Sequence, residues 1–419
     1  MLRRRDFLLT LGTAAWSLGG SPAVWAGSRR RRWMDTDGTL QFSGKREFVL
    51  GLYQLPKRTG AMRDAAAAGF NLLHRPPTVA AYDEAWAQGL RGWSSVGSLP
   101  EGNDRPAAAQ RIRALVEGLR HHPGLLFWET EDEPTYVWQK PDALRVPAHL
   151  ILETAAWVRR WDPDHALYLN HSPTHLVETL RCYNSASDIV ATDIYPVIPA
   201  GIPELYALWP DGRQGDLADH TLAQVGRYAD KMRTVAGPNR AVFMVLQAFA
   251  WEDLREKGRD PGRVLYPTLS QLRFMAWQSV IHGVQGILWW GLSFLPEGAE
   301  LWNDLLQVTR ELASVKTALA APPRQRGVQV RYHETGHSLD RGVEWTLRRA
   351  GTERILAAVN ADPNPVEVTF TGLPAGTRIR PLWPPLPEGS ASASAPRVSR
   401  EGWRERFEPH GTRVWRLET

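Results

Sequence analysis

The sequence predicts an α/β protein in which a (β/α)8 TIM barrel is followed by a C-terminal antiparallel β-sandwich. Short apolar runs alternate with longer amphipathic stretches between residues 45 and 320, which is the pattern of repeated βα units. No glycine-rich phosphate loop follows the first run, where the alternative, an open doubly wound sheet, would need one. From residue 322 onwards the pattern changes to short alternating segments separated by turns.

Eight apolar runs are enough for one complete barrel. These predicted strands lie at 48–53, 71–74, 92–96, 125–129, 166–170, 188–195, 241–249 and 286–291. The helices predicted between them lie at 61–70, 107–122, 148–161, 222–236 and 272–284, with a closing helix at 301–319. A TIM barrel carries its active site on the loops at the C-terminal ends of its strands. Residues at those strand ends are therefore the first candidates for function.

The chain after the barrel has the pattern of a small β-sandwich over residues 326–419. Its alternating runs, separated by Gly, Pro and Asp turns, lie at 343–350, 354–361, 366–372 and 412–419. The stretch 384–396 interrupts the strands and predicts a surface loop. Ahead of the barrel, Asp37 and Gly38 lie between two alternating segments and predict a hairpin.

Residues 1–26 have the features of a twin-arginine export signal. Arg4 and Arg5 precede Asp-Phe-Leu-Leu, a modestly apolar stretch follows, and a cleavage motif ends at Ala26. The apolar stretch 8–18 is too short and too rich in Gly and Thr to span a bilayer. We therefore expect a periplasmic or secreted protein without a membrane anchor.

Charge and composition indicate which kinds of ligand or macromolecular partner to expect. The formal net charge is +5, and removal of residues 1–26, which carry +2, leaves about +3. The positive charges are not gathered into one stripe interleaved with aromatic residues, so no nucleic acid partner is expected. The 19 tryptophans favour flat stacking surfaces, such as those that bind sugars, in addition to a Trp-rich core.

The stretch FWETEDEPTY at 127–136 places four carboxylates within six positions, between an apolar run and a proline. A solvated turn is the ordinary explanation for such a run. Here it ends the fourth barrel strand, where carboxylates meet a substrate. Crowding by Glu131 and Asp132 in Trp-rich surroundings predicts a raised pKa for Glu133, so that this residue can stay protonated near neutral pH.

Four stretches resemble, in this order, the catalytic barrels of clan A glycoside hydrolases: GLLFWETEDEP, DIVATDIYP, VFMVLQAF and YPTLSQLRFMAWQSVIHGVQGILWWG. The resemblance covers nearly all of the chain after the export signal, because such enzymes often carry a C-terminal β-sandwich. It implies a carbohydrate substrate and makes Glu133 the acid/base residue. It also implies that Asp132 contacts the sugar hydroxyl next to the reacting carbon, and it leaves Glu129 and Glu131 as weaker candidates.

The second carboxylate of such a site does not follow the family pattern. Clan A enzymes place a glutamate nucleophile at the end of strand seven, where this chain has Gln247, which cannot form a covalent intermediate. Three alternatives remain: Asp193 at the end of strand six, Glu252 or Asp253 just beyond Gln247, or the substrate's own acetamide assisted by Asp132 and Glu133. We expect Asp193 to be the second carboxylate. A distance of about 6.5 to 9.5 Å from Glu133 would predict inversion, and about 5 Å would predict retention.

Other residues at strand ends are predicted to bind substrate. They are Tyr53, His74, Glu131, Asn170, His171, Tyr195, Gln247, Trp289 and Trp290. Because side chains alternate along a strand, only one of the two tryptophans is expected to face the site. The histidines show no spacing typical of a metal site, and no serine-hydrolase motif is present, so neither a metal nor a cofactor is expected.

Together these features predict an exported glycoside hydrolase that acts on a poly- or oligosaccharide. One alternative is a noncatalytic carbohydrate-binding protein on a degenerate glycosidase barrel, which Gln247 makes credible. A more distant alternative is a lyase or transferase reaction at the same acidic site.

Overall fold

The structure is a computed structural model that describes residues 33–137, 140, 142–199, 221–255, 257–323, 327–383 and 396–418. These residues belong to one compact unit. The predicted export signal at 1–26, and all but the last residue of the predicted loop at 384–396, lie outside the described residues. Within the described part of the chain, no helix has the length and apolar character needed to cross a membrane.

A short hairpin precedes the barrel and consists of β1 (Leu40–Phe42) and β2 (Lys45–Glu47). It turns at Ser43 and Gly44, whose φ angles are 51° and 79°, as expected for a tight two-residue turn. The predicted Asp37-Gly38 pair forms the preceding turn, in which the Gly38 amide donates to the Asp35 carbonyl at 3.1 Å and the Asp35 amide donates to the Thr39 carbonyl at 2.8 Å. That turn brings Met34 and Leu40 into an antiparallel bridge, so the predicted hairpin at Asp37-Gly38 is confirmed, and β1 and β2 form a second one directly after it.

Eight parallel strands form a closed barrel. They are β3 (Val49–Leu52), β4 (Leu72–His74), β5 (Arg91–Ser95), β6 (Leu125–Asp132), β7 (Ala166–His171), β8 (Ile189–Ile194), β9 (Ala241–Gln247) and β10 (Gly286–Trp290), with β10 pairing with β3 to close the ring. All eight predicted strands and the TIM-barrel fold are confirmed. The fourth strand, β6, extends three residues beyond its predicted end and includes most of the acidic run.

The helices surround the barrel between the strands. Those in the described residues are α1 (Ala61–Ala68), α2 (Val79–Ala87), α3 (Arg105–Leu119), α4 (Ala148–Trp161), α5 (Val177–Arg181), α6 (Gln224–Ala236), α7 (Leu269–Ile281), α8 (Glu300–Ser314) and α9 (Lys316–Leu319). The sequence did not predict α2. Its signal is Thr78, whose side chain accepts a hydrogen bond from the Ala81 amide as an N-cap.

Large side chains fill the barrel interior. Trp93, Phe127, Tyr168 and Phe243 belong to one interior cluster, in which the Phe127 and Tyr168 rings stack with centroids 5.2 Å apart. Successive residues of a strand face opposite sides, so Trp128 belongs to a different cluster that includes helix residues. The interior layer supports the polar residues that follow it at the C-terminal strand ends.

Two antiparallel sheets follow the barrel. The strands are β11 (Gln329–Tyr332), β12 (Val343–Ala350), β13 (Glu353–Asn360), β14 (Val366–Thr371), β15 (Arg378–Trp383), β16 (Trp403–Phe407) and β17 (Thr412–Glu418), in the orders β11-β14-β16 and β12-β13-β17-β15. The rings of Phe370 and Trp403 stack with their centroids 4.5 Å apart in the core that the two sheets share. The predicted β-sandwich is confirmed, whereas the exact domain boundaries, 45–320 and 326–419, stay predictions.

A partly buried histidine joins the barrel to the sandwich. His282, at the end of α7, places Nδ1 3.0 Å from Asp230 on α6 and Nε2 3.0 Å from Glu344 on β12. Burial by itself would lower the pKa of His282, but the hydrogen bonds to the two carboxylates raise it to about 9. The contact is therefore ionic at neutral pH.

We expect His282→Ala to lower the melting temperature more at pH 6 than at pH 10. The pKa of His282 is about 9 in the folded protein, against an ordinary value of 6.5, so its ionic stabilisation is complete below pH 6.5 and is lost as the pH rises through about 9. Melting curves at both pH values measure the difference. The exposed His121 provides the control, and equal losses at both pH values would show that His282 contributes packing alone.

Candidate active site at the C-terminal end of the barrel

A β-bulge lies within the acidic run of β6. Glu129 pairs with Tyr168 of β7, and the next pairing joins Asp132 to Asn170. Between these two pairings β6 therefore has two residues, whereas β7 has only one. Bulges redirect side chains and are common beside active sites. Here the bulge lets Glu129 and Asp132, three residues apart, both lie on the side of β6 that meets the barrel interior.

The side-chain amide of Asn170 connects two carboxylates. Its Nδ2 donates to Asp132 Oδ1 at 2.9 Å and to Asp193 Oδ1 at 3.2 Å. Asn170 is only 3% exposed, and its Oδ1 has no hydrogen-bond partner among the described residues. One buried amide therefore holds together carboxylates from the ends of β6 and β8, with β7 between them.

Glu133 follows Asp132 in an unusual backbone conformation. Its φ angle is 38°, a value that costs energy in a residue other than glycine and persists only where the surroundings enforce it. Its amide donates to the Asn170 carbonyl at 3.0 Å, and its own carbonyl accepts from the Tyr136 amide at 3.0 Å. The Glu133 side chain forms a hydrogen bond with Asp193. The backbone of Glu133 is therefore strained at the point where its carboxyl group contacts that of Asp193, and these are the two catalytic residues predicted from the sequence.

The pKa values of Asp193, Asp132 and Glu129 are raised. Burial and the negative charge of Asp132 raise the pKa of Asp193 to about 7, although hydrogen bonds from Glu133 and Asn170 oppose the shift. The Asp132 side chain reaches solvent at the open end of the barrel, yet surrounding protein atoms desolvate it enough to raise its pKa. Burial and Asp132 raise the pKa of Glu129 as well. The site therefore retains protons near neutral pH.

Glu129 lies on the floor of the site among aromatic residues. It accepts a hydrogen bond from Trp93 Nε1 at 3.1 Å, and its Oε2 lies 4.0 Å from His74 Nε2. Burial and the nearby Arg75 lower the pKa of His74 to about 4, so the imidazole is neutral at pH 7. The hydroxyl groups of Tyr53 and Tyr168 are 2.7 Å apart beside this group.

An aromatic wall lies next to Asp193. The Tyr195 ring stacks on Trp290 with centroids 5.5 Å apart and planes 24° from parallel. Phe249 packs edge-on against both rings. Trp289 is 1% exposed and belongs to the cluster that includes the surrounding helices. Only one of the two adjacent tryptophans therefore reaches the site, as strand alternation predicts.

His171 and Gln247 are placed where a substrate does not reach them. His171 is fully buried with its ring 5.9 Å from Tyr183, because it follows Asn170 on β7 and faces the opposite side. Gln247 is also fully buried. Its Oε1 accepts from the Val197 amide at 2.8 Å, and its Nε2 donates to the carbonyls of Val197 and Phe249 at 2.9 and 3.0 Å. Both expected substrate contacts are contradicted by this burial.

The other acidic candidates are engaged elsewhere. Glu131 accepts from Ser98 Oγ at 2.8 Å and from Arg145 Nη2 at 3.1 Å, so it ties the loop after β5 to the loop after β6. Glu252 is 1% exposed and bonds Arg255 at 3.1 Å, and Asp253 bonds Arg259 at 2.6 Å. These three carboxylates serve loop structure in this conformation, which leaves Asp193 beside Glu133.

Sequence reasoning missed Tyr168 and Trp93 as residues of the floor. A usable signal was present for Tyr168, because it precedes Asn170 by two residues on β7 and must face the same side. Trp93 could not be distinguished from an ordinary core residue. No group of three or more His, Cys, Asp or Glu residues suited to a metal ion occurs in the described part of the chain.

No family model and no curated protein sequence matches the chain. Solved structures do match its fold. A glycoside hydrolase family 5 protein from Bacteroides vulgatus ATCC 8482 gives a TM-score of 0.57 at 12% identity, covering 92% of this chain and 93% of that one. A β-galactosidase from Bacillus circulans sp. alkalophilus gives 0.55 at 8% identity, covering 88% and 99%. An Anoxybacillus α-amylase gives 0.52 at 10% identity, covering 88% and 98%.

These similarities concern the fold. The chain shares a closed parallel barrel and its overall architecture with proteins described as glycoside hydrolases. The resemblance predicted from the sequence is confirmed at that level. At 8 to 12% identity the reaction must be argued from the site itself.

Proposed function

We propose that the protein is a glycoside hydrolase that uses Glu133 as general acid and Asp193 as second carboxylate. The observation that carries the proposal is the hydrogen-bonded group of Asp132, Asn170, Asp193 and Glu133 at the C-terminal end of the barrel. Hydrolysis of a glycosidic bond needs a proton for a poor leaving oxygen and a second carboxylate for the attacking water or the sugar carbon. This group contains both.

Two carboxyl groups in hydrogen-bond contact hold a proton between them. Burial and Asp132 raise the pKa of Asp193, whereas the hydrogen bond from Glu133 lowers it, which supports Glu133 as the proton donor of the pair. Glu133 then delivers this proton to the glycosidic oxygen. The direct contact is closer than the spacing of either an inverting or a retaining pair, so the proposed reaction requires the pair to separate when sugar binds. Asp193 then acts as the base for the attacking water.

The neighbouring residues can position a sugar ring. The stacked Tyr195 and Trp290 rings provide an aromatic surface for its apolar face. The exposed Asp132 offers acceptors for its hydroxyl groups. Acceptors and carboxylates dominate here, and the nearby cation Arg145 is bound to Glu131. An acidic sugar would meet repulsion, so the proposed substrate is a neutral or amino-bearing poly- or oligosaccharide.

A substrate-assisted reaction is the second candidate. It is favoured by the adjacency of Asp132 and Glu133 and by the direct Glu133–Asp193 contact, which leaves no position for water between these two groups. In that scheme Asp132 orients the substrate's acetamide and Glu133 supplies the proton. Hydrolysis restricted to 2-acetamido sugars would identify it, because the acetamide replaces the missing nucleophile.

A panel of aryl glycosides and polysaccharides tests the proposal as a whole. We expect release of aryl alcohol or reducing ends from a neutral substrate. A noncatalytic carbohydrate-binding protein would bind sugar without releasing either product. Proton NMR of the first anomer formed would show whether the configuration is inverted, as a water activated by Asp193 requires.

We further propose that the protein is exported by the twin-arginine pathway. Replacing both Arg4 and Arg5 with lysine should retain the precursor in the cytoplasm, because that pathway recognises the arginine pair. Fractionation of cells expressing each form measures the distribution. Normal export of the double-lysine form would contradict the assignment, and replacing Arg29 and Arg30, which follow the predicted cleavage motif, provides a charge-matched control.

A further inference from the structure

A cavity lies at the opposite end of the barrel from the proposed active site, between the barrel and the sandwich. Its volume is about 1490 Å³. Its walls include Arg240 and Gln285 just before β9 and β10, Leu347 and Arg348 on β12, and Gly372 after β14. We call this cavity the interdomain cleft. Since the proposed active site lies at the C-terminal strand ends, the cleft is separate from it.

Arginines dominate the charged lining of the interdomain cleft. They are Arg233, Arg240, Arg348, Arg349 and Arg354, and the acidic lining residues are Asp37 and Asp230. Both aspartates already have cationic partners. Asp37 lies 2.5 Å from Arg46, and Asp230 lies 3.0 Å from His282 and 3.9 Å from Arg233. The charge left for a ligand is therefore positive.

Arg348 is a buried cation in this lining. It is 4% exposed and donates to the carbonyls of Leu319, Ala321 and Val280 at 3.3, 2.8 and 2.9 Å, while its Nε has no partner. Among the described residues it forms no ion pair. A buried guanidinium without a carboxylate is unfavourable unless another anion compensates it. Burial lowers the pKa of Arg348 to about 10, although the negative charge of Asp37 opposes the shift.

Two further arginines, Arg349 and Arg354, lie at the end of the β12–β13 hairpin and likewise lack an anionic partner among the described residues. They lie directly opposite each other in the strand pairing, an arrangement that is destabilising for like charges. Neither forms an ion pair within the described part of the chain, and Arg354 Nη2 is buried without a partner. An anion between or beside them would relieve the repulsion.

We propose that the interdomain cleft binds an oxyanion-bearing ligand, through phosphate or carboxylate groups. Guanidinium groups match both anions in geometry and charge. The volume of the cleft, about 1490 Å³, exceeds what a single ion needs and leaves room for an extended ligand. Because the active site carries the opposite charge, the two sites would select different chemical groups. This inference does not depend on the proposed glycosidase activity.

Isothermal titration of the purified protein with inorganic phosphate and with trigalacturonate, at constant ionic strength, tests the proposal. We expect saturable binding of at least one probe. Binding of phosphate alone would identify a phosphate-type ligand, and binding of trigalacturonate alone would identify a carboxylate-type ligand. The absence of saturable binding for both probes would overturn the proposal.

A double variant locates the site. Arg233→Ala with Arg354→Ala should weaken binding about tenfold or more, because each removes charge-assisted hydrogen bonds. Arg111→Ala, which removes an exposed arginine of α3, should leave affinity unchanged. Unchanged affinity in the double variant would overturn the assignment. Should the double variant not fold, crystals of the unaltered protein soaked in tungstate decide: an anomalous peak in the cleft supports the site, and its absence contradicts it.

Discussion

Replacing Glu133 with glutamine should lower the rate of hydrolysis by about 10² to 10⁴ on glycosides with poor leaving groups. Glutamine keeps the shape of the side chain but cannot give a proton to the glycosidic oxygen. Aryl glycosides with acidic phenols need little protonation, so their hydrolysis should fall much less. The measurement is kcat/KM for both substrate types with both proteins.

Glu131→Gln provides a matched control for this experiment. Glu131 belongs to the same acidic run, but it is bound to Ser98 and Arg145 and should give a much smaller loss that does not depend on the leaving group. Equal losses on both substrate types for Glu133→Gln would mean that Glu133 only supports the strained backbone, where its φ is 38°. The general-acid role would then be wrong.

The positions of the carboxyl groups followed from sequence because barrel geometry is regular. The acidic run and Asp193 both come directly after apolar runs, and the C-terminal ends of parallel strands meet at one opening. That reasoning placed Glu133 and Asp193 in the same region without knowledge of side-chain contacts. It could not show that Asn170 joins Asp132 to Asp193, since this depends on the bulge between Glu129 and Asp132.

Gln247 shows where strand-end reasoning fails. Its position at the end of β9 suggested a contact with sugar, but its amide satisfies the backbone of Val197, in the loop after β8, instead. Buried backbone groups need such partners, and no local pattern in the sequence shows which loop will cover a strand end. His171 is a simpler case, because alternation from Asn170 already places it on the outer side.

Asp193→Asn should raise the melting temperature at pH 8 more than at pH 4. The pKa of Asp193 is about 7 in the folded protein, against an ordinary value of 3.8. A carboxyl group with a raised pKa costs no stability below pH 3.8, and its cost grows as the pH rises towards about 7. Asparagine cannot ionise and removes this cost, whereas its Oδ1 can still accept from Asn170. An equal change at both pH values would mean that Asp193 does not titrate in this way.

The same substitution should abolish turnover while leaving sugar binding nearly intact. An amide cannot take a proton from the attacking water, and it is close to the carboxylate in shape, so the aromatic wall formed by Tyr195 and Trp290 should still hold the ring. Turnover and sugar affinity are measured on one preparation, and Gln247→Glu provides the comparison. Under this scheme glutamate at 247 should not raise activity, because that side chain is buried against backbone. A fully active Asp193→Asn enzyme that retains configuration would instead support assistance by the substrate's acetamide, with Asp132 orienting it and Glu133 supplying the proton.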